Sequence, residues 1–260
     1  IAPDEGEPTA IFTPSMQAGV GTLTVTVTVT TPAGLVKTVT VTVDVLADDT
    51  GDFVMDDSGV LIAYRGADAE VDIPAGVSAI DSRAFSDTTL RTVRIPASVR
   101  RIDDEAFYGT GLEEIIFQDD EAAPSELAEL GSRVFSNTNV QTLTLPRSLV
   151  TINRDAFADM SKLASVHLGP KVAADQLVGS FANTPELARI QVDAGNPNYE
   201  SLDGVLYTRD HTHLIAYPAA KNAGGAYTVV SGTTDIDDFA FLGAQNESVT
   251  FPDTLRRVGD

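Results

Sequence analysis

The sequence predicts a mainly β fold with short helical turns. Its larger part reads as a curved solenoid with one short strand per repeat of about 22–24 residues. A β-hairpin is inserted into the solenoid, and an N-terminal β-hairpin or partial sandwich precedes it. Three observations predict this architecture. The first is a strict apolar–polar alternation near the N-terminus. The second is a set of aliphatic and Phe positions recurring from Val71 onward. The third is a single long step in that recurrence, filled by strand signals.

The N-terminal element, within residues 1–47, comes first. In "GTLTVTVTVTTPAGLVKTVTVTVDV", Leu23, Val25, Val27 and Val29 alternate with Thr24, Thr26, Thr28 and Thr30. After Pro32-Ala33-Gly34, Val39, Val41, Val43 and Val45 resume the pattern. This is a two-stranded hairpin with one apolar face. A lone hairpin is marginal in water, so it must pack on further structure. The stretch "FTPSMQAGVGTLTVTVTV" resembles the last strands of bacterial immunoglobulin-like or cadherin-like surface modules. Residues 48–70 follow as an acidic linker carrying a second short hairpin signal, Val60 to Tyr64.

Residues 71–260 repeat. Aligned on Phe, the copies are Ala84-Phe85, Ala106-Phe107, Val134-Phe135, Ala156-Phe157, Ser180-Phe181 and Ala240-Phe241. An aliphatic stands five residues before most of them: Ile80, Ile102, Leu130, Ile152 and Ile236. After them an L-x-x-L-x-L pattern begins, as in Leu90/Val93/Ile95 and Leu163/Val166/Leu168, and Pro often closes it (Pro96, Pro146, Pro252). No single unit can bury these residues alone. Stacked units bury them as one continuous core, which is the logic of a solenoid. The steps between Phe residues are 22, 28, 22, 24 and 60. The last holds an insert at about 196–221, where Gly204–Tyr207 and Leu214–Tyr217 read as hairpin strands, and "DSGVLIAYRG" reads as a shorter version of it.

The motif I-P-x-S-V-x-x-I-x-x-x-A-F with L-x-x-L-x-L resembles the BspA-like leucine-rich repeats of bacterial surface proteins. That resemblance implies a leucine-rich-repeat solenoid, an extracellular or cell-surface location, and a non-catalytic, adhesin-like role. The chain begins at Ile1 rather than Met, so the natural N-terminus is expected to lie before it and the absence of a leader decides nothing; it ends at Asp260 partway through a repeat, so a C-terminal cap is expected beyond it.

Composition narrows the function classes. Across 260 residues the net charge is −21 and the pI about 4.3. Such a surface repels nucleic acid and anionic lipid, whose binding requires Lys and Arg at phosphates. Mean hydropathy is near zero and no apolar run reaches membrane-spanning length, so no membrane insertion is expected of this segment. Cysteine is absent, which removes disulfides, thiolate nucleophiles and Cys-ligated zinc. There is no tryptophan, the largest sugar-stacking platform.

Several clusters suggest chemistry. In "VRIPASVRRIDDEAF", Asp103, Asp104 and Glu105 adjoin Arg100 and Arg101. The slot after the inward aliphatic holds Asp81, Asp103, Gly131, Asn153 and Asp237, all helix N-cap types. Asp81, Asp103, Asn153 and Asp237 are therefore expected to be structural caps that start the turn carrying Phe inward. The next two slots take Ser, Arg or Asp in other repeats, which marks them as solvated. Asp48, Asp52 and Asp56 are weak calcium candidates, because they lack the alternating order of a defined loop. His211 and His213 lack a third zinc ligand. No G-x-S-x-G, G-x-G-x-x-G or P-loop occurs, so neither enzymatic activity nor a cofactor is expected.

One surface remains. The outward row of the stacked strands is Arg94, Ile116, Thr144, His167, Gln191 and Thr250. A neighbouring row runs through Thr92, Glu114, Thr142, Ser165, Arg189 and Ser248. A solenoid sheet face is an extended binding surface. The expected partner is a protein of a host or neighbouring cell, a glycan being a second possibility, and the chain is expected to be monomeric. A structural spacer and a calcium-stabilised module are the alternatives.

Overall fold

The structure, a computed structural model, describes residues 9–10, 21–30, 36–45, 51–173 and 177–260. They form two compact units, which divide between Thr50 and Gly51. In the first unit β1 (Thr9–Ala10), β2 (Gly21–Thr30) and β3 (Val36–Val45) make an antiparallel sheet in that order. The alternation sets the register of β2 and β3: Val25 stands opposite Val41 and Val27 opposite Val39, while Thr26 stands opposite Thr40. The expected Pro32-Ala33-Gly34 turn lies outside the described residues.

The second unit is the solenoid. It begins at Gly51, so the hairpin of β4 (Phe53–Met55) and β5 (Val60–Tyr64) belongs to it and not to a linker. Each coil carries a strand of the L-x-L segment, as expected. Those strands are β6 (Glu70–Asp72), β8 (Thr92–Ile95) and β10 (Glu114–Phe117) in one parallel sheet. A second parallel sheet holds β12 (Thr142–Thr144), β14 (Ser165–Leu168) and β15 (Arg189–Val192). The pair β19 (Ala226–Thr228) and β21 (Ser248–Thr250) follows.

Coils also carry a second, two-residue strand that the sequence did not signal. These are β7 (Ala79–Ile80), β9 (Arg101–Ile102), β11 (Glu129–Leu130) and β13 (Thr151–Ile152), laddered in parallel from β5. The insert adds β17 (Val205–Thr208) and β18 (His213–Ala216), the expected hairpin, and before them β16 (Tyr199–Leu202), an antiparallel strand that was not expected. β18 then starts a new parallel ladder with β20 (Asp235–Ile236) and β22 (Arg257–Val258).

Among the described residues there is no helix, which corrects the expected helical turns. The reason lies in the backbone. Two left-handed residues flank each Phe, at minus two and plus two: Arg83 and Asp87 around Phe85, Glu105 and Gly109 around Phe107. A left-handed residue cannot continue a right-handed helix. The N–H groups instead alternate between two kinds of partner. Ala84, Ser86 and Thr88 donate to Asp81, Arg83 and Phe85 within the coil, whereas Arg83, Phe85 and Asp87 donate to Asp104, Ala106 and Tyr108 of the next. Every backbone donor of the segment is thereby paired without a helix. The plus-two slot takes only Asp, Asn or Gly (Asp87, Gly109, Asn137, Asp159, Asn183, Gly243), the residues that enter this conformation most readily.

The capping assignment is corrected for the same reason. With no helix start, there are no orphan N–H groups two or three residues on. The turn is closed by the backbone carbonyl of the slot, from Asp81 to Ala84 and from Asp103 to Ala106. The side chains do other things. Asp81 accepts the adjacent Ser82 N–H, Asp103 accepts from the Arg101 guanidinium, and Asn153 donates to Glu129. Asp237 takes His213 and Arg257.

The interior is a column of rings. Phe53, Tyr64, Phe85, Phe107, Phe135, Phe157 and Phe181 succeed one another with centroids 4.9 to 6.5 Å apart. Tyr64 fills the Phe slot of the first coil, its N–H donating to Ala84. Tyr217 does the same after the insert: its N–H donates to Ala240 and its ring stacks on Phe241 at 4.9 Å. Both belong to the tetrapeptide Leu-Ile-Ala-Tyr (61–64 and 214–217), so the 60-residue step contains an unrecognised ring position. A second apolar cluster, including Val205, Tyr207, Leu214 and Ile236, surrounds Tyr217.

A recurring threonine completes the turn. Thr88, Thr110, Thr138 and Thr184 each donate a hydroxyl hydrogen bond to the carbonyl of the Phe three residues before. The Ser of I-P-x-S reaches back one coil: Ser98 donates to Val77 and Ser148 to Leu127.

The turn between β17 and β18 is held by Asp210, whose carboxylate accepts from the Thr208 hydroxyl and from the Thr212 N–H and hydroxyl. These bonds, the Thr208 hydroxyl first, lower its pKa to about 2. A depressed carboxyl contributes stability that is present above its unfolded value and lost as pH falls through the folded one. Between about pH 4 and pH 2 amide exchange at Thr212 and His213 is therefore expected to accelerate in the native chain. It should change little with pH in Asp210→Asn; exchange monitored by mass spectrometry checks this.

Candidate functional site

The strand face is where the sequence placed the binding row. Asp72, Arg94 and Ile116 stand in register across β6, β8 and β10, and Thr144, His167 and Gln191 across β12, β14 and β15. Thr250 pairs with Thr228 on the separate β19–β21 ladder, so it joins neither group. Arg94 is engaged by Asp72 at 3.1 Å and is not a free cation. Thr144 and Gln191 are exposed and His167 half-buried. Ile116, read from the sequence as exposed, is half-buried.

The two triplets are separated by a break. β10 and β12 belong to consecutive coils but share no ladder, and their Cα atoms mostly lie beyond 8 Å of each other. The long step from Phe107 to Phe135 contains the extra residues, "QDDEAAPSE" after β10. This segment is fastened by Asp119, whose carboxylate accepts the Ser125 N–H and, in the next coil, the Arg147 N–H at 2.9 Å. The break opens a groove of about 450 Å³ whose lining includes Ile116, Phe117, Thr144, Leu145, His167 and Asp193. Three of the six predicted face residues thus meet in one concavity. Phe117 and Asp193 were missed. Phe117 sits at an inward core position, and no spacing rule marks a core position left half-open.

The groove also uncovers the core. Ile115 and Phe117 are half-buried, whereas their counterparts Val93, Leu143, Ile95 and Leu145 are buried. Convergent apolar walls with a few polar groups are the usual character of a recognition site. A second cavity of about 390 Å³ lies on the turn side, lined by Asn137, Asp159, Asn183, Thr184, Leu242 and Gly243. The leading Asx and Gly residues there are left-handed turn positions, so their conservation of type follows from the backbone.

The remaining candidates disperse. His211 pairs with Glu200 at 2.6 Å, while His213 meets Asp237 at 3.2 Å, so the two histidines address different carboxylates. The His211 hydrogen bond lowers the Glu200 pKa. Asp235 is lowered first by the Thr234 hydroxyl and then by Arg257. Arg257 reaches both Asp235 and the buried Asp237. Of the calcium candidates, Asp48 lies outside the described residues. Asp56 is occupied by its own turn: the Val60 N–H first, then the Ser58 hydroxyl and N–H, donate to its carboxylate and lower its pKa. Asp52 accepts the Arg65 N–H through its carbonyl. Among the described residues no group of three or more His, Cys, Asp or Glu side chains is placed to hold a metal ion. No helix among them is long and apolar enough to cross a membrane.

Stacked coils with one L-x-L strand each, a buried Phe column and an open strand face define a leucine-rich-repeat solenoid. Residues 78–201 match the model of the BspA type leucine rich repeat region, in six copies. Among solved structures, a leucine-rich repeat protein from Eubacterium ventriosum is similar over 92% of this chain at 20% identity, with a TM-score of 0.67. The chain spans 62% of that protein's length. The pneumococcal vaccine antigen PcpA is similar over 79% of this chain and 71% of its own at 20% identity, with a TM-score of 0.51. At such identity the likeness is one of fold. No curated protein matches the sequence.

Proposed function

We propose that the repeat body is a non-catalytic, adhesin-like domain that binds a protein of a host or neighbouring cell through its strand face, outside the cell. One observation carries the reading: the groove between the two strand sheets, where Ile116, Thr144 and His167 converge beside half-exposed Phe117. The net charge of −21 and the complete absence of cysteine suit an extracellular surface. The likeness in fold to a vaccine antigen agrees with it. The N-terminal sheet fits the end of an immunoglobulin-like or cadherin-like module placed before the repeats.

The test combines Thr144→Arg, His167→Glu and Gln191→Arg. Binding of the fluorescent chain to cultured epithelial cells, before and after protease or glycosidase treatment, is the measurement. The triple variant is expected to bind at least about tenfold more weakly, a change of about 1.4 kcal/mol. Binding should survive glycosidase and be lost with protease. Unchanged binding by a folded variant would rule out the strand face. A spacer role is the second reading, favoured by the unbroken ring column from Phe53 to Phe181. It predicts no binding by the native chain either.

A further inference from the structure

The break between β10 and β12 leaves two strand edges open toward each other. In a parallel ladder, alternate residues direct their backbone groups to opposite neighbours. Glu114 and Gln118 donate to Arg91 and Ile95 of the preceding coil. Ile115 and Phe117 therefore turn their N–H and C=O groups the other way, toward β12. On the far side, Ser165 donates to Gln141 and Leu145 to His167, so β12 turns the backbone groups of Thr142 and Thr144 toward β10. No hydrogen bond joins these two sets, because β10 and β12 form no ladder.

The width admits one strand over the short stretch between the Asn139 N–H to Leu112 C=O bond before β10 and the Arg147 N–H to Asp119 bond after it. Neighbouring strands lie about 4.8 Å apart, so a strand seated between two others spreads them to roughly twice that. β10 and β12 are spread beyond 8 Å over most of their length, whereas β8 and β10 pair in register throughout. Beneath the gap lie Ile115 and Phe117, which a closed sheet would bury as it buries Val93 and Ile95. The slot thus offers hydrogen-bond edges on both sides and an apolar floor. Such edges suit a peptide backbone, and the open floor takes its alternate side chains.

Charge selects the occupant further. Glu113 and Glu114 stand at the entry of β10; Asp119, Asp120 and Glu121 stand past its end, and Asp193 lines the groove. The cations nearby are Arg91, already paired with Glu113, Arg94, already paired with Asp72, and Arg147. We propose that the break is a strand-insertion site for an extended segment of a partner protein, apolar at alternate positions and basic at both ends. The segment pairs with Ile115 and Phe117 on one side and with Thr142 and Thr144 on the other. This rests on the strand-face reading and names the partner's chemistry within it.

The probe is a synthetic peptide, Lys-Lys-Val-Thr-Val-Thr-Val-Lys-Lys. Two controls accompany it, one with Glu in place of every Lys and one N-methylated at alternate residues. Amide exchange of the intact chain is followed residue by residue by NMR. In the free chain the amides of Ile115, Phe117, Thr142 and Thr144 are expected to exchange far faster than those of Val93 and Val166. The lysine peptide at millimolar concentration should slow all four by at least about tenfold, and neither control should do so. Four amides already protected without peptide, no protection by the lysine peptide, or equal protection by the glutamate peptide would each overturn the proposal. Failure here with weakened cell binding by the Thr144, His167 and Gln191 variant removes the insertion site alone. Intact cell binding by that variant removes the face itself.

Discussion

Replacing Phe107 with alanine is expected to destabilise the repeat body by about 3–5 kcal/mol, the range for emptying a large aromatic site in a packed core. Phe107 is fully buried, and its ring lies nearly parallel between Phe85 at 4.9 Å and Phe135 at 5.8 Å. In a solenoid each coil touches only its neighbours, so no distant contact can make up the loss. The cavity weakens the junctions on both sides at once. Urea unfolding followed by circular dichroism and tyrosine fluorescence measures the effect; the chain has no tryptophan to complicate the signal. Phe107→Leu keeps much of the volume and should cost less. A loss below about 1 kcal/mol for alanine would mean that the ring column is not the axis of stability.

The second large effect is expected at Asn196. This residue is almost fully buried at the point where the coils give way to the insert. Its Nδ2 donates to the carbonyls of Gly169 at 2.9 Å and Val172 at 3.3 Å. Its Oδ1 accepts the N–H groups of Asn198 at 2.8 Å and Tyr199 at 2.9 Å. Asn196→Ala removes all four bonds and takes their partner from the Gly169 carbonyl and the Asn198 N–H, while Val172 keeps the Asn198 side-chain amide. Each such group costs about 1–3 kcal/mol, so a total loss of about 3 kcal/mol or more is expected. Asn196→Asp should not rescue it, because the carboxylate cannot donate to Gly169 or Val172. Hydrogen exchange should show the loss first in the strands of the insert, β16 to β18. Uniform destabilisation of every coil would argue against a junction role.

The coils were legible because their signals are local and repeated. Aliphatic, Phe and L-x-L positions recur, and each lands where stacking needs it. The insert was legible for the same reason, its two strand runs being continuous in sequence. The turn chemistry was misread. Asp at the slot before the Phe turn is a good N-cap, but a cap needs a helix, and the left-handed residues two before and two after Phe forbid one. That information was present as the Asp/Asn/Gly restriction at the plus-two slot, a pattern weaker to the eye than Phe. The groove was half legible. Periodicity placed Ile116, Thr144 and His167 on one face, yet a break in pairing is a property of two coils together. The 28-residue step located the irregularity without saying that strands β10 and β12 would part. Leu-Ile-Ala-Tyr was seen as a strand signal twice, but Tyr at a Phe position hid its part in the ring column.

That tetrapeptide bears on how the chain is made. Both Leu-Ile-Ala-Tyr strands pair antiparallel with the strand just before them, and in parallel with the two-residue strand of the following coil, β7 and β20. Each therefore supplies a folded edge from local contacts, onto which the following coil can lay its backbone. During synthesis the first hairpin emerges ahead of every Phe coil and can template them one by one as they leave the ribosome. The second repeats the service for the last coils, with its own apolar cluster. Local templates of this kind keep loop-closure costs low and folding fast. The two hairpins give the solenoid two starting edges, one ahead of the first Phe coil and one ahead of the last.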